Sequence, residues 1–317
     1  MKILVSGATG LIGAELVRVL EKDNEVGRLV RRATGGDLIS GTPRGGGVCQ
    51  KNDVLWDLGT GVLQGRWLDG VDVVVHLAGE NIGAGRWTKA RQEIIRNSRV
   101  VGTAGLVRSL AHLARPPVFL CASAVGYYGH RGDEILTEAS SAGSGFLAEV
   151  CRSWEESCRP LVDRGGRVVN LRFGPVLSER GGVLAKMKRP FLWGLGGKIG
   201  RGHHYMSWVS LSDAVGAILY AMDSKTLSGP VNVTAPHPVT NKEFTQALGK
   251  ALRRPTVLSV PAFITRMVFG KMADELILSS ARALPQKLLK EGYVFKEPFL
   301  ERFLKKRSAL QYCSESL

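Results

Sequence analysis

The chain has 317 residues, 44% of them apolar and 22% charged, with a formal net charge of +15. Such a length and composition exclude a disordered chain and leave room for a large buried core. Five cysteines, an odd number with no CxxC spacing, argue against a disulfide framework or a zinc site and fit a reducing, cytoplasmic compartment.

The N-terminus reads MKILVSGATG, an apolar strand that reaches glycine at once rather than an export signal. No run of ~18 apolar residues occurs, so no span and no membrane partner are expected. The basic excess clusters around Arg86–Arg99, Lys186–Arg201 and Lys305–Arg307. No nucleic-acid motif accompanies it, which argues against nucleic acid and leaves phosphorylated ligands or a plain basic surface.

KILVS (2–6) has the continuous apolar pattern of a strand buried on both faces. GATGLIG (7–13) follows, with Gly7, Gly10 and Gly13 spaced G-x-x-G-x-x-G and Thr9, Leu11 and Ile12 between them, and then AELVRVLEK at helical spacing. Strand, glycine turn and helix in this order bring backbone N–H groups and a helix N-terminus close to a pyrophosphate. The next strand, 25–32, ends in Arg31 and Arg32. An Asp or Glu about 20 residues past the glycines would hold a ribose 2′-hydroxyl. Arginine forks pair with phosphate instead, so NADP(H) is expected over NAD(H). The glycine-rich stretch 35–47 reads as a loop.

VDVVVHLAG (71–79) is a second buried strand, ending in Leu77, Ala78 and Gly79; these and Glu80 are expected along the cofactor, with Asn81 toward substrate. PVFLCASA (117–124) and RVVNLRFGPVL (167–177) are further strands, the latter carrying Arg172 toward the cofactor. Helical patterns lie at 88–113 and 146–164. Alternating β and α elements imply an α/β fold with a Rossmann-type doubly wound parallel sheet.

GATGLIG, HLAG, CASAVGYYG and LRFGPVL resemble the extended or atypical short-chain dehydrogenase/reductases. Segments 190–222 and 229–255 are similar to the atypical "epimerase family" subgroup, which also carries a cell-division-inhibitor label. The resemblance spans nearly the whole chain. It implies NADP(H) binding, hydride-transfer chemistry and often a homodimer. It also implies a Rossmann-type domain, placed at 1–235, and a smaller α-rich C-terminal domain at 236–317. It supplies no substrate.

Typical members carry a Tyr-x-x-x-Lys pair on the helix after the fifth strand. Here that helix reads GFLAEVCRSWEES (145–157), without tyrosine or lysine, and the position four before Tyr128 is Ala124, with Ser123 one residue earlier. Ser123 with Tyr127 or Tyr128 could handle a proton, or Glu80-Asn81 or His203-His204 could. The tyrosines could equally pack at a strand end. A chain without the pair could also be a non-catalytic NADP(H) sensor.

Past residue 178 the pattern changes. Residues 179–208 mix glycines, basics and aromatics and are expected along the substrate cleft, where Lys198, Arg201, His203, His204, Tyr205 and Trp208 would meet an acidic or phosphorylated substrate. No His, Asp or Glu spacing suggests a metal. SLSDAVGAILYAM (210–222) reads as a helix capped by Ser210 or Ser212, and TNKEFTQALGKAL (240–252) as a helix with a Thr240–Glu243 capping box.

Overall fold

The computed structural model describes residues 1–31, 52–56, 63–64 and 68–306. The stretch 35–47, Arg32 and the side chain of Arg31 lie outside the described residues. The apolar runs form the strands β1 (Lys2–Ser6), β2 (Glu25–Arg31), β3 (Asp53–Trp56), β4 (Leu63–Gln64), β5 (Val73–His76) and β6 (Val118–Ala124). Parallel registers join β3, β2, β1, β5 and β6, and β4 adds an antiparallel edge. Beyond β6 the sheet continues through Val168–Phe173 and Gly229–Val233, eight strands among the described residues. Ile3, Leu4, Val5, Val74, Val75 and Phe119 have no exposed surface, as expected of strands covered on both faces.

The winding reverses direction at β1, which has β2 on one side and β5 on the other. The carboxyl ends of β1 and β5 therefore part at a switch point, where doubly wound sheets bind ligands. Helix α1 (Leu11–Leu20) leaves the end of β1, and α2 (Lys89–Ala111) starts at Thr88, whose hydroxyl accepts the Arg91 N–H.

The expected helix over 146–164 is two helices, α3 (Phe146–Glu156) and α4 (Arg159–Asp163). Pro160 has no N–H to continue the ladder, so the chain turns at Ser157–Cys158. The expected strand over 167–177 also divides, into Val168–Phe173 and Val176–Ser178. Pro175 sits in the gap, and a Cβ at Gly174 would overlap the Ser207 carbonyl oxygen. Both capping expectations are met. The Asp213 N–H donates to Ser210 Oγ, and Thr240 and Glu243 form a complete capping box.

The chain forms two compact units. One comprises residues 1–123, 150–171 and 218–230; the other comprises 124–149, 172–217 and 231–317. The chain thus crosses between units within the strands Val118–Ala124, Val168–Phe173 and Gly229–Val233 and within the helices Phe146–Glu156 and Leu211–Asp223, whereas the sequence pattern suggested one boundary, at 235. The second unit has its own core of Leu177, Trp208, Phe244, Leu248 and Phe303.

The tightest packing in the first unit is at Gly13, where a Cβ would stand 2.1 Å from the Gly7 carbonyl oxygen. Gly13→Ala is expected to cost about 1–3 kcal/mol through overpacking. Urea unfolding measures it, and an unchanged midpoint would contradict the packing described.

Candidate functional site

The glycine turn is built by steric demand. Gly7 adopts φ of 68°, and a Cβ there would lie 2.8 Å from the Leu77 carbonyl carbon. Only glycine lets β1 turn this close to the end of β5. The Gly10 N–H donates to the Gly7 carbonyl, and Gly10 then caps α1. Among the described residues no side chain caps that helix start, and its first turn holds no acid. Thr9 and Gly10 are exposed, while Leu11 and Ile12 are half-buried. The first-turn N–H groups and the positive end of the helix dipole are thus presented outward, a fit for a pyrophosphate.

A buried polar chain fixes the neighbouring wall. Ser6 Oγ accepts the N–H groups of Leu77 and Ala78, each at 3.2 Å. Its hydrogen then goes to His76 Nδ1, 2.6 Å away. This assigns the ring hydrogen to Nε2, which donates to Thr103 Oγ1 at 2.9 Å. Thr103 also accepts the Trp154 indole N–H at 2.8 Å. Burial lowers the His76 pKa to about 4, so the ring is neutral at pH 7.

Past Ala78, a Cβ at Gly79 would meet the Arg99 guanidinium at 3.4 Å, and Arg99 donates to the Glu80 carbonyl. The Glu80 carboxylate pairs with Arg91 at 2.9 Å, and Asn81 Oδ1 accepts the Gly83 N–H. Both side chains are spent on the shape of their own loop.

Ser123 is buried at the end of β6 and donates to Glu155 Oε1 at 2.7 Å. Trp154 is in the core, and Glu155 is the partner of the candidate serine. No local signal marks it, because Glu155 and the exposed Glu156 are adjacent carboxylates that differ only in the face they occupy.

The second unit holds both tyrosines. Tyr128 has no exposed surface. Its hydroxyl hydrogen has two acceptors, Asn232 Oδ1 at 2.8 Å and the Thr137 carbonyl at 2.9 Å, and the oxygen accepts from Arg172 at 3.0 Å. Burial raises its pKa against the opposing effect of Arg172. A phenol so enclosed serves as a packing group in this structure, with its hydroxyl satisfied on both sides. Tyr127 is half-buried, edge-on to Tyr128, with the Arg172 guanidinium 3.4 Å from its ring centroid. Arg172, expected along the cofactor, is buried and engaged with the two tyrosines. Glu138 Oε1 completes this knot by accepting the N–H groups of Asn232 and Lys287.

Also in this unit, Lys198 lies on the short strand Gly197–Ile199, and Arg201 and His203 are exposed. His204 is half-buried, and its pKa is lowered by burial and by the nearby charge of His130. Ser280 ties the neighbourhood together, donating its N–H to His130 Nδ1 and accepting the Tyr205 N–H on its hydroxyl. Arg282 lies 4.8 Å above the Tyr205 ring. The sequence pointed to His204 and Tyr205 but not to His130, Ser280 or Arg282, which arrive from distant segments. Trp208, expected at the substrate, is fully buried 5.5 Å from Phe303 and belongs to the core. No metal-binding cluster occurs among the described residues.

The sequence matches the profile of the NAD dependent epimerase/dehydratase family over residues 3–234, and that of a domain of unknown function (DUF1731) over residues 260–306. It is 42% identical over 294 residues to the epimerase family protein Mb2239 of Mycobacterium bovis, covering 92% of this chain and 93% of that protein. The human epimerase family protein SDR39U1 (isoform 2), crystallised with NADPH, superimposes with a TM-score of 0.83 at 29% identity, over 98% of this chain and 99% of that one. A nucleoside-diphosphate sugar epimerase from Corynebacterium glutamicum gives a TM-score of 0.73 at 34% identity, over 95% of this chain and 56% of the other.

Two measurements follow from the geometry. The His76 pKa is about 4 folded against 6.5 unfolded, so the folded protein prefers the neutral ring. That contribution is full above pH 6.5 and is lost as pH falls toward 4, about 3 kcal/mol in all. Denaturant unfolding between pH 7 and 4.5 should show a shallower pH dependence in His76→Asn than in the parent; equal slopes would contradict it. Tyr128→Phe removes the hydroxyl shared by Asn232, the Thr137 carbonyl and Arg172 and should cost about 1–3 kcal/mol by the same assay, whereas Tyr127→Phe should leave stability nearly unchanged.

Proposed function

The chain belongs to the NAD dependent epimerase/dehydratase family, and from that premise we propose that it is an NADP(H)-dependent oxidoreductase or epimerase-like enzyme acting on a small polar substrate. The observation that carries the cofactor reading is the open, glycine-walled start of α1, with Gly7 and Gly13 where no Cβ fits. Support for the phosphorylated nucleotide comes from Arg31, where β2 ends, from Arg32 next to it in sequence, and from the NADPH in the human relative's crystals. In this reading the backbone N–H groups of Leu11 and Ile12 hold the pyrophosphate, Leu77, Ala78 and Gly79 line the crevice, and Arg31 and Arg32 take the 2′-phosphate.

NADP(H), when bound, supplies or accepts the hydride at a carbonyl or carbinol carbon. The protein must move the accompanying proton, and each unit offers one group for it. Ser123 directs its hydrogen to Glu155, so its oxygen can take a proton from a substrate hydroxyl while its own passes to the carboxylate. Tyr127, the tyrosine of the pair that is not fully buried, offers a phenol beside the Arg172 charge.

Lys198, Arg201, His204 and Arg282 suit an acidic substrate. The name of the Corynebacterium glutamicum neighbour makes nucleoside-diphosphate sugars the first class to try. A cytoplasmic homodimer belongs to the same proposal. A second reading, a sensor that binds NADP(H) without turnover, is favoured by one observation: the sequence of α3 holds neither tyrosine nor lysine.

Calorimetric titration with NADPH and NADH tests the reading. NADPH should bind at least about tenfold more tightly than NADH, and Arg31→Ala should erase most of that preference. Binding of neither nucleotide would overturn it. If a substrate is then found, Ser123→Ala or Tyr127→Phe should lower turnover by about 10²–10⁴ for whichever group moves the proton; NADPH binding with no turnover on any carbonyl substrate would select the sensor.

A further inference from the structure

In the second unit, helix α5 (Gly182–Leu192) runs into the stretch 193–200, whose strand Gly197–Ile199 pairs in parallel with Leu258–Val260. A Cβ at Gly197 would lie 2.4 Å from the Leu258 carbonyl oxygen, so these segments run side by side. The chain continues through Pro261 into the helix Ala262–Phe269. Along this ridge large apolar side chains face outward: Trp193 is 76% exposed, Val257 88% and Phe263 66%, with Leu195 and Met267 also exposed. Folded proteins rarely leave so many large apolar groups together in water without a partner.

The surroundings have one sign of charge. Residues 186–201 contain five basic residues and no acid, and residues 250–271 likewise. Arg266 pairs with Asp274, Lys188 with Glu179 and Lys250 with Glu301, which leaves the border with a basic excess. Beside the ridge is a depression of about 530 Å³ lined by Lys250, Arg253, Arg254 and Thr256. Arg253 holds φ of 53°, the only non-glycine residue with positive φ among those described, at the end of Asn241–Leu252. Glycine would take this C-terminal position without strain. The arginine there keeps a charge at the cost of backbone comfort.

We infer that this ridge docks on an anionic membrane surface, the apolar crest entering the interface and the basic border meeting lipid headgroup phosphates. Charge decides between occupants. A second copy would bring two basic borders together, whereas an anionic bilayer complements both the crest and its border. No described helix is long and apolar enough to cross a membrane, so the contact is with a surface. The expectation of no membrane partner, drawn from the lack of a span, does not bear on such docking.

Cosedimentation of the purified full chain with vesicles tests this. Vesicles of equal parts phosphatidylcholine and phosphatidylglycerol should bind at least about tenfold more protein than pure phosphatidylcholine at low salt, and less as salt rises. Phe263→Ser with Met267→Ser removes crest but no charge, and should lower binding about tenfold with unchanged circular dichroism and Tm. Arg253→Gly should fold at least as stably yet bind anionic vesicles less well. The inference is overturned if anionic vesicles capture no protein at low salt, or if the crest variant binds as the parent does. It is also overturned if the chain ignores vesicles and forms a dimer that the crest variant abolishes.

Discussion

Ser6 Oγ is the point on which the candidate cofactor site rests. It accepts the two backbone N–H groups that follow β5 and passes its own hydrogen to His76, so it holds the ends of two adjacent strands in one geometry. Gly7 can turn within van der Waals distance of Leu77 because that end of β5 is held, and α1 starts where it does because Gly7 turns there. His76, Thr103 and Trp154 extend the same fixation through the core to α2 and α3. The anchoring is neutral throughout. A charged imidazole would have to be desolvated, and burial keeps it unprotonated instead.

The structural distinction between the tyrosines is simple. Tyr128 supplies the buried hydroxyl around which Thr137, Asn232 and Arg172 are arranged, and Tyr127 supplies an accessible ring against the same arginine. Arg172 thereby joins the two. In the first unit a different acid–hydroxyl pair, Ser123 and Glu155, lies on the elements where typical members of the wider group place their reactive side chains. The departure from the Tyr-x-x-x-Lys pattern is thus accompanied by two separate polar arrangements, one per unit.

Features that depend on neighbours in sequence were legible. The β1 strand, the glycine turn, α1, the Ser210 cap and the Thr240 capping box follow from local spacing. So did the doubly wound sheet, since buried parallel strands are apolar along their whole length. The break at Pro160 was equally readable, but the helical pattern on either side masked it. What was not legible depends on long-range contact. Glu155 meets Ser123 across 32 positions, and Ser280 meets His130 across 150. Trp208 follows HHYMS, a polar context, yet its side chain turns into the second unit's core beside Phe303. The pairing of Glu80 with Arg91 of α2 is likewise a contact that no local pattern marks.

The most direct test of the cofactor account is a crystal structure of the protein grown with NADPH. The account predicts pyrophosphate oxygens within hydrogen-bond distance of the backbone N–H groups of Leu11 and Ile12, and the 2′-phosphate at Arg31 and Arg32. Nucleotide bound away from the start of α1, with Gly10 facing solvent, would contradict it.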